Sequence, residues 1–224
     1  MELDARPRLR RRVWLLHCSV AGAALVGAVP CALAASKTTS KVLVVGDSLS
    51  AEYGIARGSG WVALMQQRLQ KAQAGATVVN ASISGDTSSG GRTRLPALLA
   101  EHKPTHVVIE LGANDALRGL PLQMTRDNLA AMVRAARATG AQVLLVGMRM
   151  PPNYGRNYTQ EFEAMFASLA KAEGAALVPF LLAGVADAPD AASLFQDDRI
   201  HPNARAHAII VDNVWPVLRT LLKP

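Results

Sequence analysis

Short unbroken apolar runs alternate along this chain with longer stretches in which apolar residues recur every three or four positions. The first run is Val42, Leu43, Val44 and Val45. Four strand-type residues in a row predict a parallel strand buried on both faces. Residues 77–80, 105–111, 142–147 and 175–178 predict further strands. Trp61, Leu64, Met65 and Leu69 have helical spacing, and a second helix is expected from about residue 91 to 101. Leu129, Met132, Val133 and Ala136 mark a third, with Gly140 suited to its C-cap. Phe162, Met165, Phe166 and Leu169 mark a fourth, with Thr159 expected as its N-cap and Gly174 at its end. A last helix is expected to start near Pro202, a favourable first position, and to be kinked or ended early by Pro216.

Strand and helix in alternation, five times over, predict an α/β fold. The expected form is a five-stranded parallel sheet with helices on both faces, a three-layer flavodoxin-like arrangement with strand order 2-1-3-4-5. In that order the first and third strands flank the switch point, and ligands bind outside the C-terminal ends of the strands there. Ser48 leaves the first strand at this point and Asn114 leaves the third.

The N-terminus changes the picture. Arg6, Arg8, Arg10, Arg11 and Arg12 precede an apolar stretch over residues 13–29, and Ala32, Leu33 and Ala34 stand before Ala35. This is the pattern of a secretory leader cleaved after a small-x-small site. As a permanent anchor the stretch is slightly short and is interrupted by His17 and Pro30. The expectation is a leader over 1–34, one domain over 35–224, and a periplasmic or secreted product. Both cysteines, Cys18 and Cys31, fall inside the leader. The mature chain would then fold in an oxidising compartment without a disulfide.

Composition adds one exclusion. The chain is 50% hydrophobic and 18% charged over 224 residues, which suits a globular domain. Its net charge of +7 falls to +4 once residues 1–34, with five arginines and two acidic residues, are removed. No basic run remains and only 4% of residues are aromatic. A nucleic-acid partner would call for a clustered basic stripe, so none is expected.

Gly46, Asp47 and Ser48 follow the first strand directly. Ser48 is a candidate nucleophile, while Asp and Ser are also ordinary turn and cap residues. A serine nucleophile requires a base, a group that orients the base, and donors for the oxyanion. His102 and His106 lie at the wrong end of the sheet, and His207 falls inside the last helix. His201 sits at a loop–helix junction with Asp198 three residues earlier, so Asp198 can orient His201 toward Ser48. The alternative for Asp198 is an anion near a helix N-terminus. Gly85 allows close approach of its backbone N–H, or serves an ordinary turn. Asn114 offers a side-chain amide donor, or is a turn asparagine.

These residues in this order resemble the SGNH, or GDSL, hydrolase family. The resemblance rests on residues 46–50, Gly85, residues 112–115 and residues 198–201, and extends over essentially the whole mature chain. Within the family it is strongest to bacterial periplasmic esterases with thioesterase, protease and lysophospholipase activity. It implies Ser48, Asp198 and His201 as a catalytic triad. It also implies an oxyanion hole from the Ser48 and Gly85 N–H groups and the Asn114 side chain. Ala113 and Arg199 stand where the pattern often has glycine, which bears on the acyl pocket. Leu117, Leu120, Met148, Met150, Leu181 and Leu182, with Pro152, are candidates for an acyl groove, about half of them expected in the core instead.

The resemblance further implies hydrolysis of fatty acyl esters and thioesters through an acyl-enzyme. No metal or organic cofactor is expected. The expected partner is a small acyl substrate, with no nucleic acid, no stable membrane anchor after cleavage, and a monomeric chain. A carbohydrate O-acetyl esterase of the same fold and a non-catalytic anion-binding module are the alternatives.

Overall fold

The computed structural model describes residues 39–73 and 75–222. The expected leader, its cleavage site and both cysteines lie outside the described residues.

Five parallel strands form one sheet: β1 (Lys41–Gly46), β2 (Thr77–Asn80), β3 (His106–Glu110), β4 (Gln142–Val146) and β5 (Ala176–Val178). Their order is β2-β1-β3-β4-β5, the order expected of the flavodoxin-like arrangement. Val42 to Val45 and Val107 to Ile109 are fully buried, because helices cover both faces of the central strands. The helices are α1 (Trp61–Ala72), α2 (Ser88–His102), α3 (Ala113–Leu117), α4 (Leu122–Ala138), α5 (Arg156–Glu173) and α6 (Ala206–Leu221). α1 packs with α6, while α4 packs with both α2 and α5. Right-handed crossovers leave β1 in one direction and β3 in the other, which assigns these groups to opposite faces. The core lies between each helix layer and the sheet, with Trp61, Met65, Phe162 and Phe166 among its largest side chains.

Several boundaries differ from the expectation, each for a local reason. α2 begins at Ser88 and includes Gly90 and Gly91, which read as loop. Thr87 caps it by accepting the Gly90 N–H, and a Cβ on Gly91 would lie 2.2 Å from Leu111 Cδ1. Close helix–sheet packing, not propensity, selects glycine there. α5 is capped by Gly155, at φ 93°, rather than by Thr159, whose hydroxyl donates to Arg156 O within the first turn. α6 starts at Ala206, not near Pro202, because Pro202 is bridged antiparallel to Phe195. It continues past Pro216 to Leu221. A 3-10 turn, Ala191–Leu194, interrupts what read as one long loop after β5.

Candidate active site

β1 ends at Gly46, and the chain turns at once: the Ser50 and Ala51 N–H groups both donate to Asp47 O. The turn leaves Ser48 half-buried at the C-terminal mouth of the sheet while Ser50 points inward and is 1% exposed. His201 comes from the loop between the Ala191–Leu194 turn and α6. Its Nε2 lies 2.9 Å from Ser48 Oγ, and its Nδ1 lies 2.7 Å from Asp198 Oδ2. Asp198 Oδ1 also accepts the Ile200 and His201 N–H groups, both at 2.9 Å. These donors, the His201 backbone N–H foremost, hold the Asp198 carboxyl down to about 2. The helix-dipole alternative for Asp198 fails, since α6 begins eight residues later.

The other described histidines stand elsewhere. His106 hydrogen-bonds to Leu221 O, and His207 Nδ1 accepts the Trp61 N–H at 3.0 Å. Burial lowers both pKa values.

The expected oxyanion groups fall into two kinds. Neither the Ser48 nor the Gly85 N–H has an acceptor among the described residues. Gly85 has φ 79°, and a Cβ there would meet nothing within 4 Å, so its glycine answers to backbone geometry and faces open space. Asn114 sits in α3, directly after β3. Its amide nitrogen donates to Asp47 Oδ2 at 3.0 Å and to Asp86 O at 2.9 Å. Both amide protons therefore have protein acceptors, and donation to a third oxygen means sharing or releasing one.

Several supporting residues were assigned no role by the sequence reading. Arg94 of α2 pairs with Asp86 Oδ2 at 2.8 Å and donates to the Gly46 and Ala81 carbonyls. Asp115 is fully buried and accepts from Ser88 N–H and Oγ–H, which anchors α2 to the Asn114 turn. Tyr53 stacks on His201 with centroids 4.3 Å apart. Gln196 donates to Tyr53 O and Pro202 O, joining the Ser48 loop to the His201 loop. Only spatial proximity, between residues more than a hundred positions apart, reveals the last two.

Of the apolar groove candidates, Leu117 is 37% exposed and Leu120 is half-buried. Met148, Met150, Leu181 and Leu182 are buried in the core. Loops leaving β4 and β5 must cover the end of the sheet, and these side chains do so. Pro152 opens a short 3-10 turn, Pro152–Tyr154. Among the described residues no group of three or more His, Cys, Asp or Glu is arranged for a metal ion.

A Ser–His–Asp relay at the switch point of an α/β sheet narrows the comparison to few folds. The model of the GDSL-like lipase/acylhydrolase family matches residues 44–209. The chain belongs to this family. Esterase TesA of Pseudomonas aeruginosa is 52% identical over 181 residues, covering 81% of this chain and 89% of TesA. A crystal structure of TesA, 51% identical, superposes with a TM-score of 0.77, over 81% of this chain and 99% of that one. Thioesterase 1/protease 1/lysophospholipase L1 of Escherichia coli K12 is 44% identical over 181 residues, 81% of this chain and 84% of the other. The psychrotrophic esterase EstA of Pseudoalteromonas sp., solved as inhibited by monoethylphosphonate, is 40% identical. It covers 81% of this chain and 98% of EstA, with a TM-score of 0.76. In this GDSL-like chain Gly-Asp-Ser is the turn at residues 46–48, and the loop that bears Asp198 and His201 meets it at Ser48.

Proposed function

We propose that this protein is an exported serine hydrolase that cleaves carboxylic esters and thioesters of acyl groups through an acyl-enzyme. The observation that carries the reading is the continuous relay from Ser48 Oγ through His201 to Asp198, with 2.9 and 2.7 Å contacts. His201 Nε2 takes the Ser48 proton as Oγ attacks the acyl carbon. Asp198 holds the Nδ1–H tautomer and balances the imidazolium. The Ser48 and Gly85 N–H groups, without acceptors among the described residues, and the Asn114 amide receive the oxyanion. His201 then gives its proton to the leaving alcohol or thiol, and water repeats the sequence to release the acid.

An acyl substrate is favoured over a polysaccharide by the apolar side chains exposed on the edge of the sheet that bears the relay. Tyr53, Ile83, Leu117, Met124, Tyr154 and Ile200 are the exposed large apolar side chains among the described residues. Every one lies in a strand-to-helix connection or a first helical turn at the C-terminal edge of the sheet. The names of the relatives, esterase and thioesterase/lysophospholipase, agree with this class. A periplasmic or secreted location follows from the leader pattern. Among the described residues no helix is long and apolar enough to cross a membrane.

A fluorophosphonate probe with a panel of p-nitrophenyl esters, acyl-CoAs and lysophospholipids tests the reading. Ser48→Ala should fold, fail to label and lose several orders of magnitude in kcat. An active Ser48→Ala would remove the nucleophile from its role. Ser50 is a poor substitute, since its hydroxyl is committed to Glu110 at 2.7 Å.

A further inference from the structure

Two carboxyl groups are buried behind the Gly-Asp-Ser turn, and the reaction above uses neither. Glu110, the last residue of β3, is 2% exposed, and Asp47 is 1% exposed. Glu110 stands opposite Gly46 in the β1–β3 register. A Cβ on Gly46 would lie 2.8 Å from Glu110 Oε2 and 2.7 Å from Ser50 Oγ. The glycine of the motif therefore makes room for this acid. Glu110 Oε2 accepts the Ser50 hydroxyl at 2.7 Å and the Asp47 N–H at 3.3 Å. Asp47 accepts through both oxygens, from Leu49 N–H and from the Asn114 amide, each at 3.0 Å. The two carboxyl groups lie behind the same turn, joined through the Asp47 N–H, and each bears on the other's ionisation. Among the described residues neither has an ion-pair partner. Two neighbouring carboxyls, out of water and without a cation, resist both being ionised at once.

We propose that Glu110 is a positioning residue kept as the neutral acid: its proton is donated to Asp47, Asp47 stays an anion, and Asp47 in turn aims the Asn114 amide beside Ser48. Asp47 is the better anion of the two because N–H groups donate to both of its oxygens, whereas both donors to Glu110 fall on Oε2. Burial pushes the Glu110 carboxyl well above its usual range, and the Asp47 charge pushes it further. Three other groups bear on the pair. Asp86, from the loop after β2, opposes ionisation of Asp47, and His201 favours it. Arg94, paired to Asp86, donates to the Gly46 and Ala81 carbonyls and to neither carboxyl of the pair. The kinetic consequences rest on the function proposed above; the protonation state does not.

Infrared spectroscopy and kinetics of Glu110→Gln and Glu110→Leu test the proposal. At neutral pH the wild-type protein should show a protonated-carboxyl C=O stretch that shifts in D2O, and Glu110→Gln should lack it. Ser48→Ala should keep the band, so that a failed catalytic reading leaves this result intact. Gln retains a donor for Asp47 and an acceptor for Ser50, so Glu110→Gln should keep kcat within about threefold, with an unchanged pH profile. Glu110→Leu should lower kcat by about 10²-fold, with little change in KM, as expected for misplaced catalytic groups. Absence of the band would overturn the proposal. So would a loss of more than about 10²-fold in a folded Glu110→Gln, which would make Glu110 a working anion.

Discussion

Asn114 carries the sharpest demand at the scale of single residues. If it only shapes a turn, Asp should replace it well. As an oxyanion donor it should lose on the order of 10²–10³ in kcat when replaced by Asp. The structure adds a second cause, because a carboxylate at 114 would face Asp47 Oδ2, now 3.0 Å from the amide. Asn114→Ala removes the donor without that repulsion and should lose less, with KM nearly unchanged in both variants. Steady-state kinetics on one ester, with circular dichroism for folding, checks the order of the two. The buried and bridged acids also predict opposite pH effects on stability. Asp198 is held down to about 2, against about 3.9 in an unfolded chain. Its contribution is present above about pH 4 and is lost as pH falls toward 2. Asp47 is raised to about 6, chiefly by burial. Its contribution is present below about pH 4 and is lost as pH rises through 6. Tm measured against pH should therefore show Asp198→Asn approaching wild type between pH 4 and 2. Asp47→Asn should instead gain on wild type between pH 4 and 7. A constant offset in either variant would contradict the corresponding assignment.

At the scale of elements, strands and helices follow the apolar periods, and their ends follow contacts. Gly147, just past β4, donates to Val178 O and accepts from Leu181 N–H. A Cβ there would lie 2.3 Å from Pro179 O, a backbone atom that cannot rotate away. Gly147→Ala should therefore destabilise the fold by about 1–3 kcal/mol through overpacking, read as a lower urea midpoint with unchanged slope. Retained stability would show that the β5 connection can shift freely. The same logic explains the misread boundaries. Gly90 and Gly91 look like loop, yet α2 includes them because Asp115 fixes its first turn and Leu111 leaves no room for larger side chains. Pro202 looks like a helix start, yet Phe195 claims it for a bridge. Arg199 occupies a left-handed position, φ 57°, where glycine would be unstrained.

For the whole molecule, the leader pattern predicts export and a domain that folds without a disulfide. N-terminal sequencing of the exported protein should begin near Ala35, and thermal unfolding should be indifferent to reductant, since Cys18 and Cys31 lie upstream. A retained Met1 in the membrane fraction would oppose this. Strand and helix positions and the Asp198–His201 pairing were legible because they rest on local periodicity or short spacing; the strand order and the choice of Ser48, 153 positions from His201, leaned on the α/β topology and the family resemblance. Unbroken apolar runs specify buried parallel strands, and an Asp three residues before a His closes a single turn. The support around the site was not legible. Glu110 falls in an expected strand, Arg94 in an expected helix and Gln196 in an expected loop, with nothing local to name their partners. Their partners lie 63, 48 and 143 positions away, at Asp47, Gly46 and Tyr53. Such contacts depend on which loops the sheet brings to one edge. Only the folded packing decides which polar groups lose water there and must find each other.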